Sequence, residues 1–190
     1  ARVLDSPRCI EIRYFGVVTA DDVALGLGEG LRLAHENDLW LVLADTSSRI
    51  PEEAAPMWAE RIKIAESKGM EPLVQPTLER WFTAAFRESH PEEVGRIGRL
   101  IRSTPVAGYA GCAQGISRIN LTARLRDIDC PTLVMVGDSD LGTPQSMAEE
   151  IVRAMPRSRL HVIPRAAHLS NIEQPAEFNR VLRQFLVLNS

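Results

Sequence analysis

The sequence predicts an α/β protein: a parallel sheet flanked by helices, with a block of further helices inserted between two of its strands. Three observations predict it. Residues 129–190 alternate short apolar runs with amphipathic stretches, the order in which a parallel sheet and its covering helices are laid down. Residues 39–44 (LWLVLA) form a continuous apolar run, the mark of a strand buried on both faces. Between them, about residues 50–128, the apolar spacing is helical throughout.

Residues 1–46 read strand–helix–strand. The stretch 10–18 (IEIRYFGVV) is rich in β-branched and aromatic residues and alternates at Ile10, Ile12 and Tyr14. Thr19 offers an N-cap, and Asp21 and Asp22 place acids in the first turn of a helix over 21–36. Val23, Leu27, Leu31 and Ala34 make its apolar stripe, while Gly26, Gly28 and Gly30 each weaken it by about 1 kcal/mol relative to alanine. Asn37-Asp38 ends it before the strand at 39–44.

The region 47–128 forms the helical block. Pro51 opens a helix that carries Met57, Trp58, Ile62 and Ala65 and stops at Gly69. Leu78, Trp81, Phe82 and Ala85 lie along a helix over 73–87. Pro91 starts a third with Val94, Ile97, Leu100 and Ile101, and a fourth covers 105–116. In residues 129–190, strands at 133–136 and 160–163 alternate with helices at 144–155 and 175–186.

Composition narrows the function. Apolar residues make up 45% and charged residues 25%, and a net charge of −3 gives no affinity for nucleic acid or an anionic membrane. No apolar run approaches the roughly 20 residues of a membrane span, and the first residues lack the apolar core of a signal peptide. Cys9, Cys112 and Cys130 include no C-x-x-C pair and read as reduced thiols of a cytoplasmic protein. His35, His90, His161 and His168 lie far apart in sequence and none falls in an H-x-x-x-H pattern, so no metal site is expected.

Chemistry gathers near the C-terminus. Ligands of a parallel sheet collect outside the carboxyl ends of its strands. Asp138 and Asp140 follow the strand at 133–136, and His168 follows the strand at 160–163, so both loops emerge at one edge. There a carboxylate can hold an imidazole in one tautomer and stabilise its charged form. Asp138, next to Gly137, suits turn chemistry, which leaves Asp140 as the acid and His168 as the base. Trp81 lies on an apolar helical stripe, where a place in the core is the ordinary reading.

Two stretches of the sequence are the most distinctive, Thr77-Leu-Glu-Arg-Trp-Phe-Thr and Ala167-His-Leu-Ser-Asn-Ile-Glu-Gln-Pro. Through them, and from about residue 41 to 186, the chain resembles the 3-oxoadipate enol-lactonase branch of the α/β-hydrolase family. Pro131-Thr-Leu-Val-Met-Val-Gly, Met57-Trp-Ala-Glu-Arg-Ile and the stretch Leu-Val-Leu-Ala-Asp-Thr-Ser-Ser at 41–48 add to it. The resemblance implies a partial α/β-hydrolase fold with residues 47–128 as a helical cap and 129–190 as the C-terminal part of the core. It implies Asp140 as triad acid, His168 as base and Trp81 at the substrate. A small carboxylate-bearing lactone or ester is the implied substrate, in aromatic catabolism and without a cofactor.

One member of the triad has no counterpart. No serine in these residues stands in the G-x-S-x-G turn that carries such a nucleophile, and Gly26-Leu-Gly-Glu-Gly has its outline with Gly28 in the serine's place. Ser47 and Ser48 lead into the helical block, Ser170 suits turn hydrogen bonding, and Thr19 and Cys9 have no base beside them in sequence. Residues 1–46 instead resemble the start of a STAS-like domain, a small α/β module that binds partners or ligands. The alternative expectation is therefore a non-catalytic binding module fused to a hydrolase half. A third is a hydrolase half whose remaining strands come from elsewhere; its open sheet edge would pair two copies into a homo-oligomer.

Overall fold

The computed structural model describes residues 2–5, 8–11 and 40–188, the first two segments as backbone only. Strands β1 (Arg2–Asp5) and β2 (Arg8–Glu11) pair antiparallel as a separate two-stranded sheet, with Val3 opposite Ile10. The strand expected at 10–18 thus begins two residues earlier, and its continuation lies outside the described residues, as does the helix expected at 21–36.

The main sheet has three parallel strands in the order β3 (Leu41–Ala44), β4 (Thr132–Gly137), β5 (Ser158–Ile163). Leu41 pairs with Thr132, and Gly137 with Ile163, so β4 and β5 end level with each other. All six residues of β4 are buried, as its unbroken apolar run requires. Val134 and Val136 pack on one face with Ala148, Ile151 and Met155. Leu133 and Met135 pack on the other with Ile163, Val181 and Phe185. Period-two alternation thus divides one strand between two cores, each fully buried aliphatic side chain contributing about 1.5–3 kcal/mol.

Between β3 and β4 the chain forms α1 (Ala55–Lys68), α2 (Glu71–Trp81), α3 (Ala84–Ser89), α4 (Pro91–Ser103) and α5 (Val106–Ile116). Gly69 ends α1 at φ +75°, a conformation glycine adopts without a steric penalty. The helix expected over 73–87 is two helices. Phe82 and Thr83 are extended, and Thr83 caps α3 by accepting from Phe86 N at 3.2 Å. Helical spacing at Leu78, Trp81, Phe82 and Ala85 concealed this break, because the cap signal falls inside an otherwise periodic run. Arg87 donates to the carbonyls of Glu79 and Phe82 at 3.0 and 2.8 Å, satisfying groups that the end of α2 leaves open.

After β4 come α6 (Gln145–Ala154), β5, a single turn α7 (Ser170–Glu173) and α8 (Pro175–Leu188). Leu169 and Ile172 pack into the same apolar cluster as Leu78, Phe82 and Ile97, so the stretch after β5 reaches the inserted helices. Among the described residues, no helix is long and apolar enough to cross a membrane.

Gly137 shows how tightly the loops at the sheet's carboxyl edge are stacked. A Cβ there would lie 2.3 Å from the carbonyl oxygen of Ala166 and 2.4 Å from that of Ala167. Both neighbours are backbone, so the strand end itself would have to move. Gly137→Ala is expected to cost about 1–3 kcal/mol or more by overpacking. Gly108→Ala, on α5 with open space where its Cβ would fall, should instead be neutral or stabilise by about 0.5–1 kcal/mol. Urea denaturation of the two variants checks the pair; equal midpoints would contradict the crowding at Gly137.

Candidate active site

The turn after β4 aims a carboxylate at the turn after β5. Asp138 N donates to Ile163 O at 3.0 Å and Ser139 N to Ala166 O at 2.9 Å, lacing the two loops together. The Asp138 side chain completes the lacing by accepting from Arg165 N at 2.9 Å and from Ser139 Oγ at 2.8 Å. Burial raises the Asp138 carboxyl, but these hydrogen bonds outweigh it and hold the group below the ordinary aspartate range. Arg165 takes φ +56° in this turn. Asp138 is thus engaged in the turn, as its position after Gly137 led us to expect.

Asp140, two residues on, is buried, and its side chain is wholly shielded from solvent. Oδ1 accepts from Gly142 N at 2.7 Å and Thr143 N at 3.0 Å. Oδ2 accepts from Thr143 Oγ1 at 2.7 Å and lies 2.9 Å from His168 Nδ1. Burial alone would push this carboxyl up; the His168 and Thr143 hydrogen bonds overcome that and bring it below the ordinary range. The carboxylate fixes the Nδ1 proton and leaves Nε2 as the basic nitrogen. Among the described residues, no hydroxyl or thiol hydrogen-bonds Nε2.

The Trp81 ring stacks on the His168 ring, with centroids 5.9 Å apart and planes inclined by 29°. Trp81 also borders the apolar cluster of the inserted helices, so it serves the core and the site together. The fold therefore brings Asp140, His168 and Trp81 to one place.

Two further groups, Asp45 and Arg80, stand at the site without a motif to mark them in sequence. Asp45, at the end of β3 with φ +48°, accepts from Gly137 N at 3.1 Å and from Ser170 Oγ at 2.6 Å. Burial raises its carboxyl above the ordinary range, and the hydrogen bonds from Ser170 and Gly137 offset only part of that. Its position directly after a parallel strand was the available signal. Arg80 is half-buried, and among the described residues it has no hydrogen-bond or ion-pair partner. Burial and the nearby Arg61 lower its guanidinium, with Tyr109 and Asp140 acting in the opposite sense. A Cβ at Gly142 would meet Asp140 Oδ1 at 3.3 Å, Arg80 Cδ at 3.7 Å and His168 Nδ1 at 3.8 Å, so these three groups converge on one glycine.

Two of the serines weighed as nucleophiles are engaged elsewhere. Ser170 is fully buried and donates to Asp45, while Ser48 Oγ pairs with Thr122 Oγ1 at 2.7 Å. Thr19 and the Gly28 segment lie outside the described residues. Among the described residues, no group of His, Cys, Asp or Glu is arranged to hold a metal ion.

A strand-edge carboxylate and histidine on a parallel sheet, with helices inserted between two of its strands, define a class. The family described as alpha/beta hydrolase fold matches residues 45–175, and the chain belongs to it. Within that family it is 30% identical over 142 residues to 3-oxoadipate enol-lactonase 2 of Acinetobacter baylyi, covering 75% of this chain and 52% of that protein. It is 28% identical to 3-oxoadipate enol-lactonase 1 of the same organism, covering 83% of this chain and 62% of that protein. The chain thus spans between about half and two thirds of these curated relatives. The enol-lactonase of Burkholderia xenovorans superposes with a TM-score of 0.78 at 27% identity, covering 92% of this chain and 75% of that one. A malate-bound esterase of Thermogutta terrifontis superposes with a TM-score of 0.76 at 28% identity, covering 92% and 74%. These relatives give no support to the STAS-like reading of residues 1–46 or to the expected homo-oligomer.

The lowered Asp140 carboxyl has a consequence for stability. A group whose pKa is depressed by folding contributes stability that is complete above its unfolded value, about 3.9, and is lost as pH falls through the lower folded value. Asp140→Asn removes that contribution, so its stability should fall less steeply than the parent's below about pH 4. Guanidinium melts between neutral pH and about pH 2.5 check this; parallel curves would contradict it.

Proposed function

We propose that this chain carries the acid–base part of a carboxylic-ester or lactone hydrolase of the 3-oxoadipate enol-lactonase type, with residues 129–190 as core and 47–128 as cap. The observation that carries the reading is the 2.9 Å contact between the buried Asp140 and His168 Nδ1. In this reading His168 Nε2 takes the proton from an attacking hydroxyl as its oxygen bonds the carbonyl carbon. The imidazolium, stabilised by Asp140, then gives that proton to the departing alkoxide or enolate oxygen.

Arg80 supports a substrate that bears a carboxylate. A half-buried guanidinium beside Asp140 and His168, with no partner among the described residues, offers charge-assisted hydrogen bonds to an anion. The similar proteins, an enol-lactonase and an esterase with malate bound, agree with that substrate class. Trp81, stacked on His168, would provide the apolar wall.

The test is hydrolysis of an enol-lactone and of a paired neutral and carboxylate-bearing aryl ester. His168→Ala should abolish turnover of all three. Arg80→Leu should raise KM for the anionic ester about tenfold, the loss of one hydrogen bond to a charged group, while leaving the neutral ester within about twofold. A serine-directed fluorophosphonate distinguishes attack by serine from attack by water. Absence of hydrolysis, or hydrolysis that survives His168→Ala, would overturn the reading.

A further inference from the structure

We propose that Glu173 is a positioning residue that fastens the inserted helices to the histidine turn and thereby holds the His168 ring between Trp81 and Asp140. The inference rests on His168 acting as the base, but its test reads the ring's placement and not hydrolysis.

Glu173 is buried, on the single turn α7, five residues beyond His168. Oε1 accepts from both Thr83 N and Thr83 Oγ1, each at 2.8 Å. Oε2 accepts from Ala167 N, the residue immediately before His168. Both side-chain oxygens are thus used, one by the break between α2 and α3 and the other by the histidine turn. On the far side of His168, Leu169 N donates to Trp81 O at 3.2 Å. The histidine is therefore tied to the segment 81–83 through both of its chain neighbours, and its ring lies against the first residue of that segment.

The break in the α2–α3 helical run gains a reason from this arrangement. A continuous helix would use Thr83 N internally, whereas here it donates to Glu173. Thr83 Oγ1 simultaneously accepts from Phe86 N to cap α3 and donates to Glu173, so one hydroxyl starts the helix and anchors the loop. Glutamine has the shape of Glu173 but presents donors where one oxygen must accept. It therefore breaks one side of the link at nearly constant volume.

The His168 Nδ1 proton, held against Asp140, is the reporter. It is identified in proton NMR of the full chain as the downfield resonance missing from His168→Ala. In Glu173→Gln its exchange with water should accelerate by roughly tenfold or more, while the β4 amides, which report global opening, keep their exchange rates. Thr83→Ser, which retains both donors, should preserve the parent's behaviour. Unchanged Nδ1 exchange in Glu173→Gln would overturn the proposal, as would equal acceleration at β4, which marks general destabilisation. Should Glu173→Gln not fold, Thr83→Ala removes the hydroxyl that donates to Glu173 together with the cap of α3; with the β4 amides again as control, parent-like Nδ1 exchange there would equally overturn the proposal.

Discussion

The contact between the end of β4 and the turn after β5 governs the rest of the carboxyl edge. Gly137 lies so close to the carbonyls of Ala166 and Ala167 that no side chain fits between them. That proximity lets Asp138 and Ser139 bond the backbone of the opposing loop directly. Once the two loops are laced, Asp140 and His168 stand at hydrogen-bond distance without a long side chain having to bridge a gap. Short side chains on fixed backbone lose little rotamer entropy on being positioned, which favours a defined geometry.

Three aspartates follow β3 and β4, and their surroundings divide their work. Asp138 is spent on backbone donors of the facing turn. Asp140 is shielded from water yet meets two backbone N–H groups, a threonine hydroxyl and an imidazole, so its charge is compensated on both oxygens. Asp45 has Gly137 N and the Ser170 N–H and hydroxyl, and burial still dominates, leaving its charged form disfavoured. The contrast follows from the number and quality of donors and not from distance to solvent alone.

The sheet and the Asp140–His168 pair were legible because both rest on local pattern. Continuous apolar runs marked both β3 and β4 as strands, but only β4 is buried on both faces, β3 being half-buried with Ala44 exposed; residues directly after parallel strands share an edge by topology. The break at Phe82-Thr83 was not legible, since the apolar spacing runs through it. Nor was Glu173, whose partners lie 90 residues away at Thr83 and six residues away at Ala167. Charged residues on a short turn ordinarily face water, and nothing in the pattern at 170–173 separates this one from that default. Asp45 occupies an intermediate place: the strand-edge rule marks it, but only the fold brings it to Ser170.

The inserted helices stand in sequence between β3 and β4, yet the stretch they touch near the site follows β5. Leu169 and Ile172 enter the apolar cluster of α2 and α4, and that contact fixes how far the helices stand from the sheet edge. Apolar packing is non-directional, so it cannot by itself set the rotation of a ring. Hydrogen bonds are directional, and the two that flank His168, from Ala167 N to Glu173 and from Leu169 N to Trp81, supply the missing orientation. Distance is thus set by apolar contacts and angle by polar ones. Each would be insufficient without the other: distance alone leaves the ring free to rotate, and angle alone leaves it free to shift against Trp81 and Asp140.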